Sequence, residues 1–234
     1  MGEIPQQESE KPREPFDLQE RVFRISEYGS SVIKELKSNP NKLVREESMI
    51  DDSIDKSIVH YSQVKTMFKE MADKYGVSIP DMDMVIGEKK KGEKKIFTVV
   101  DKIEGCDLKR FEKLSEAVKD NFESFYLGYL QSILDAYKER KPFFNDFAEE
   151  QIMYGHKSAD KDGEDKFFLV DVGTGFTGPE DVRNGFTYDD FFLGAIEREK
   201  RDIKMYEKKF GQDCVLHKAR QKIEEIENYF KNTK

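Results

Sequence analysis

Cross-links, metal ligands and membrane spans are what this chain has least of. Its 234 residues include two cysteines, Cys106 and Cys214, and three scattered histidines, His60, His156 and His217. Neither cysteine belongs to a CxxC pair, so the spacing supports neither a disulfide framework nor a zinc site. No apolar run approaches the ~20 residues of a spanning helix, so no membrane role is expected. Residues 1–15, MGEIPQQESEKPREP, contain no signal-peptide hydrophobic stretch and read as a disordered, polar, Pro-rich tail. Gly2 suits myristoylation, but Gln6 stands where that motif requires Ser or Thr. A basic excess is also missing: 40 Lys and Arg face 48 Asp and Glu, a formal charge of −8. This argues against nucleic-acid binding, which needs a basic footprint, and a cytoplasmic protein is expected. What is abundant is aromatic material, 18 Phe and 10 Tyr, enough for a proper core.

The first hundred residues read as hairpin, helix, hairpin. Residues 21–26 and 31–37 form two short β-prone runs around Tyr28-Gly29-Ser30, although the first run reads equally as the end of a helix from Asp17. In the second run Lys34 lies on the side of Val32 and Leu36, where a long cation commonly extends its head to water. Residues 42–48 suit a short extended segment. Ile54, Ile58, Tyr61, Val64, Phe68, Met71 and Tyr75 recur every three or four positions, which predicts a helix over 53–75 that Gly76 ends. Strands over 82–87 and 95–102 follow, joined by a Lys-rich turn. Beyond Gly105 the periodicity becomes helical: a short helix at 108–111, then one long stripe from Leu114 to Tyr137, broken by Pro142. Residues 143–150 read as irregular, 151–156 and 166–172 as two short strands, and 189–210 and 214–230 as two more helices. The fold class is α+β, with a tail at 1–15, a sheet-and-helix lobe at 16–104 and a mostly helical lobe at 105–234.

Residues 166–178, KFFLVDVGTGFTG, organise the functional reading. A short apolar run ends in Asp171 and then in Gly173, Gly175 and Gly178, so a carboxylate closes a buried strand beside a turn that bends at little steric cost. Such a carboxylate suits a metal ion or a ribose. The glycine-rich turn resembles the first motif of SAM-dependent methyltransferases, but that motif opens a βαβ unit with further strands after it. Here 56 residues follow Gly178, and they read as helices.

The order of elements instead resembles the protein-kinase-like superfamily, closest to small bacterial kinase-like proteins, over residues 20–210. Phe97-Thr-Val-Val-Asp-Lys-Ile-Glu-Gly-Cys-Asp-Leu is similar to the fifth strand and hinge of that family. The resemblance implies that backbone around Asp101 to Ile103 reads the adenine edge. Asn145-Asp146-Phe-Ala-Glu-Glu-Gln151 resembles the catalytic loop, in which an Asp is followed five residues later by an Asn. Asp146 would then orient or deprotonate the acceptor hydroxyl, and Gln151 would replace the metal-binding Asn. Asp171-Val172-Gly173 takes the place of the Asp-Phe-Gly triplet, so Asp171 would bind magnesium, and Lys34 would contact the phosphates. The implied fold is bilobal and kinase-like, with an antiparallel N-lobe sheet carrying one helix and a reduced, mostly helical C-lobe. The implied cofactors are ATP and Mg, and the acceptor would be a small molecule or a protein hydroxyl.

The chain departs from the family pattern at several points. It has no Gly-x-Gly-x-x-Gly loop, Phe144-Asn145 replaces the His-Arg before Asp146, and no Ala-Pro-Glu follows Gly173. A helix acid to pair with Lys34 is not evident. Two further expectations therefore stand beside an active phosphotransferase: a pseudokinase that binds nucleotide or acts as a scaffold, and a helical interaction protein using the heptad-like stripe of the last helix.

Overall fold

A computed structural model of the chain describes residues 18–25, 32–89, 93–111, 113–170, 175–181, 185–211 and 213–233. The expected tail, the turn at Tyr28-Gly29-Ser30 and the Asp171-Val172-Gly173 triplet lie outside the described residues. The protein is α+β, with an antiparallel sheet and several helices. By internal contacts it divides into two units, one of residues 1–62 and 82–100, the other of residues 63–81 and 101–234. Among the described residues no helix is long and apolar enough to cross a membrane.

The first unit is built on a five-stranded sheet. Strands β1 (Leu18–Ile25), β2 (Val32–Leu36), β3 (Asn39–Glu46), β4 (Met82–Lys89) and β5 (Glu93–Asp101) lie in the order β1-β2-β3-β5-β4. Helix α1 (Ile54–Tyr75) enters the sequence between β3 and β4. Leu36, Val44 and Phe97 bury one face of the sheet, with Val99 partly covered beside them. Side chains alternate along a strand, so Arg45 and Thr98 project from the other face. There the Glu47 carboxylate accepts from Arg45 Nε at 2.9 Å and from the Thr98 hydroxyl. The segment read as a short extended piece at 42–48 is thus a strand over Asn39–Glu46, in which Val44 is the buried residue.

The expected helical stripe holds closely in α1: Tyr61, Val64, Phe68 and Met71 are buried. Gly76, at φ 69°, ends the helix, and the N–H of Val77 turns back to the Met71 carbonyl. The second unit takes the later part of α1 and adds α2 (Lys119–Lys138), α3 (Tyr188–Phe210) and α4 (His217–Asn232). A 3₁₀ turn over Glu116–Val118 precedes α2, where a single continuous helix was expected. Phe122, Tyr126, Tyr129, Leu130, Ile133 and Leu134 of α2 are fully buried. Ala219, Ile223, Ile226 and Phe230 bury the stripe of α4 within the molecule, so it offers no coiled-coil seam.

Two small sheets complete the second unit. Strands β6 (Ile103–Asp107), β8 (Ile152–Lys157) and β9 (Lys166–Leu169) pair antiparallel in the order β6-β8-β9. Two-residue strands β7 (Phe143–Phe144) and β10 (Phe176–Thr177) pair antiparallel with each other. The residues expected to be a hinge are therefore largely a strand, and part of the expected irregular loop is one as well.

Candidate functional site

The short β7·β10 ladder positions the candidate loop. It sets Phe176 opposite Phe144 and Thr177 opposite Phe143, so the chain before Asn145 and the chain after residue 174 are joined at one place. Asn145 extends this junction by donating its N–H to the Gly175 carbonyl at 2.6 Å. Gly175 adopts φ 119°, and a Cβ there would stand 2.8 Å from the Asp146 Cβ and 3.0 Å from the Phe144 ring. Only glycine lets the two segments approach this closely without strain.

Past this junction one ring anchors the loop. Phe147 is buried and stacks on Tyr129 with centroids 4.0 Å apart. With Phe147 directed into the core, its neighbour Asp146 is exposed. The chain then makes a 3₁₀ turn, Glu149–Gln151, closed by a bond from Gln151 N–H to the Ala148 carbonyl. Gln151, 5% exposed, donates Nε2 to Asp146 Oδ2 at 2.7 Å. The carboxylate can only accept, which fixes which end of the amide faces it. The other end, Gln151 Oε1, is buried without a hydrogen-bond partner. The Gln151 carbonyl accepts from Val170 N–H at 2.8 Å, and Val170 is the residue before Asp171.

Helix α3 supplies the remaining polar groups. Arg198 donates Nη2 to Asn145 Oδ1 at 3.1 Å, and Asn145 Nδ2 donates to Thr177 Oγ1 at 3.2 Å. Burial opposes the charge on Arg198, but Tyr129, Glu199 and Asp146 favour it and its pKa is raised. Glu199 is fully buried and accepts from the Tyr126 and Tyr129 hydroxyls at 2.7 and 3.2 Å. Burial pushes its carboxyl up to about 7, against the pull of Arg198 and the two hydroxyls.

The structure thus brings Asp146 and Gln151 into direct contact. Asp101 and Ile103 lie elsewhere in the second unit. Ile103 pairs with Lys157, at the far end of β8 from Gln151, roughly 20 Å along the strand. Asp101 N–H donates to the Asp81 carbonyl at 2.9 Å, and the Lys102 carbonyl accepts from Ser158 N–H at 2.8 Å. Lys157 Nζ bridges the carboxylates of Asp81 and Asp101 at 2.6 and 2.9 Å. Two backbone groups of the expected adenine-reading segment therefore already have protein partners. Lys34 belongs to the first unit, half-buried on β2 opposite Val44, while the strand directly before α1 carries Arg45 instead. Asp171 is outside the described residues. Among those described, no three His, Cys, Asp or Glu side chains converge on a metal position.

Arg198 and Glu199 were not singled out in the sequence because Glu197-Arg-Glu-Lys-Arg-Asp202 reads as a solvated charged run. The signal was present in the periodicity. Phe192, Ala195, Ile196, Ile203 and Tyr206 define the buried face of α3, and position 199 falls on that face. A cavity of about 80 Å³ is lined by Met67, Met71, Tyr75, Phe144 and Phe176 among others, and Asn145, Asp146 and Gln151 are not in its walls. No protein-family model matches the chain, and no curated protein matches it either.

Proposed function

We propose that the protein is a kinase-like phosphotransferase and that residues 145–151 are its catalytic loop. The observation that carries this reading is the Gln151 side chain. One end of its amide steadies Asp146 at 2.7 Å, and the other is a buried acceptor with no partner. A buried oxygen left unpaired costs about 1–3 kcal/mol, which a ligand at that atom would offset. Magnesium takes oxygen ligands, so an unpaired amide oxygen is a suitable donor for the ion. Gln151 would hold it together with Asp171, which follows the backbone bond between Val170 and Gln151. When bound, the ion neutralises charge on the transferring phosphates.

The chain's own residues have simpler tasks. Asp146 accepts and orients the acceptor hydroxyl, of a small molecule or of a protein, through the carboxylate oxygen that Gln151 leaves available. Phosphoryl transfer asks mainly for positioning and charge neutralisation, and a loop held at both ends supplies the first. Lys34 as the phosphate contact, and the backbone around Asp101 and Ile103 as the adenine contact, enter from the sequence resemblance, as does the bilobal fold. A pseudokinase is the second reading, favoured by the absence of the glycine loop and by Gln in place of Asn.

The test is thermal stability with and without ATP and magnesium, followed by phosphate release. Nucleotide at a hundred times its Kd should add about 2.7 kcal/mol to the wild type. Asp171→Ala and Gln151→Leu should lose the magnesium-dependent part. Asp146→Asn should keep the shift and lose turnover by about 10²-fold or more. No shift at millimolar nucleotide would sink the phosphotransferase and leave a scaffold, whereas a shift without turnover in the wild type would leave a nucleotide-binding pseudokinase.

A further inference from the structure

The chain carries no Arg directly before Asp146, because Phe144-Asn145 occupies that place. The fold nevertheless delivers a guanidinium there from 53 residues away, through the bond from Arg198 to Asn145 Oδ1. We infer that Arg198 is the positioning residue of the candidate catalytic loop, an assignment that rests on the phosphotransferase reading above.

A cation at this position is costly to bury. The Arg198 side chain is 27% exposed and lies beside fully buried Glu199, yet the two do not form a close pair. Their nearest approach, Nε to Oε1, is 3.6 Å, and Nε is buried without a hydrogen-bond partner. Adjacent positions on α3 do not face each other, so the two groups form no bidentate pair. Instead Glu199 takes its hydrogen bonds from Tyr126 and Tyr129, and the guanidinium turns its Nη2 to the neutral amide of Asn145.

That amide is the junction of the loop. Asn145 is held by its N–H to Gly175, by Nδ2 to Thr177 and by Oδ1 from Arg198. Three bonds in different directions fix its backbone, and with it the start of the next residue, Asp146. Gln151 fixes the carboxylate from the other end. Arg198 thus acts on Asp146 through Asn145 and not by a direct ion pair: its hydrogen bond goes to the preceding residue, and the carboxylate's goes to the neutral amide of Gln151. A base that must take a hydroxyl proton needs this separation, since a direct ion pair would lower its basicity.

The experiment measures magnesium-dependent phosphate release from ATP for wild type, Arg198→Met, Arg198→Lys and Asn145→Ala, with melting temperatures for each. Asn145→Ala keeps Arg198 beside Glu199, so it covers the case in which Arg198→Met folds poorly. A misplacement of about 1 Å at a reacting group costs about 10²-fold. We expect kcat to fall 10- to 100-fold in Arg198→Met and Asn145→Ala, with KM for MgATP within twofold. Arg198→Lys should recover part of the loss, and the Met and Ala changes combined should be no worse than either alone. Unchanged kcat in both single variants overturns the role while the phosphotransferase stands. A fall in kcat that tracks KM and melting temperature in both variants overturns it as well, in favour of a purely structural part. A wild type that binds MgATP without releasing phosphate removes the role and leaves a pseudokinase. One that neither binds nor turns over MgATP removes the proposed function, and the role with it.

Discussion

The two units bury their interiors by different physics. In the first, one apolar cluster is Leu36, Val44 and Phe97 with Val99 at its edge, and the opposite side of the same strands encloses Arg45, Glu47 and Thr98 together with buried Ile96. In the second, rings pack against rings: Phe122, Tyr126, Tyr129, Phe147 and Tyr206 contact one another at centroid distances from 4.0 to 6.3 Å. An aromatic interior depends on shape and area and responds little to pH or salt. An interior tied by a charged acceptor depends on keeping that charge paired. The candidate loop stands on the aromatic floor, through Phe147, which suits a carboxylate that must be held in one place.

Removing a ring from that floor should give the largest effect. Phe147→Ala takes away the partner stacked on Tyr129 and opens a cavity directly below Asp146, at a cost of about 4 kcal/mol. Chemical denaturation followed by circular dichroism would measure it. A loss below about 1 kcal/mol would mean that the rings rearrange freely, and the contrast between the units would fail.

Glu199 is a fully buried carboxyl inside the aromatic unit, and its pH dependence sharpens the comparison. Its carboxyl is raised from 4.5 to about 7 in the folded protein. Between those values the folded state holds a proton that the unfolded chain releases, so this group's contribution to stability is fully present below pH 4.5. It is lost as the pH rises through 7. The loss amounts to about 3 kcal/mol, from 1.36 kcal/mol per pKa unit. Glu199→Gln should therefore flatten the stability profile between pH 4.5 and 7 relative to wild type, and gain most at pH 8. Parallel profiles for the two proteins would show that Glu199 does not titrate in this window.

How much of this was legible beforehand follows the range of the interactions. Helix α1 was readable almost residue for residue, because its spacing and its stop at Gly76 lie within a few positions of one another. The strands at 82–89, 93–101, 152–157 and 166–169 were readable for the same reason. Strands β7 and β10 were not, since two residues have no period and their pairing joins positions 143–144 to 176–177. β6 was hidden because Ile103–Asp107 is mostly polar and becomes a strand by pairing with β8. At the site, Asp146 and Gln151 were singled out by resemblance to a kinase-like catalytic loop, and the structure places them in contact. Arg198 escaped notice because its partner Asn145 is 53 residues away, and local sequence contains no mark of that distance.

The smallest expected effect belongs to the first unit and tests its half of the contrast. Glu47 is 6% exposed and accepts from both Arg45 Nε and the Thr98 hydroxyl. Glu47→Gln keeps an acceptor oxygen in nearly the same place and removes only the charge. Hydrogen bonds to charged groups contribute about 1.5–3 kcal/mol, so a loss of about 2 kcal/mol is expected. Arg45→Met alone should cost a similar amount, and the double variant less than the sum, because either single change already ends the ion pair between the two. A double-mutant cycle by chemical denaturation measures this directly. Strict additivity would mean that the two charges do not act together, and the polar side of the sheet would then owe its order to the backbone bond from Glu47 N–H to the Ile96 carbonyl. Coupling of 1 kcal/mol or more would place a paired charge at the centre of the first unit's stability, as stacked rings are at the centre of the second's.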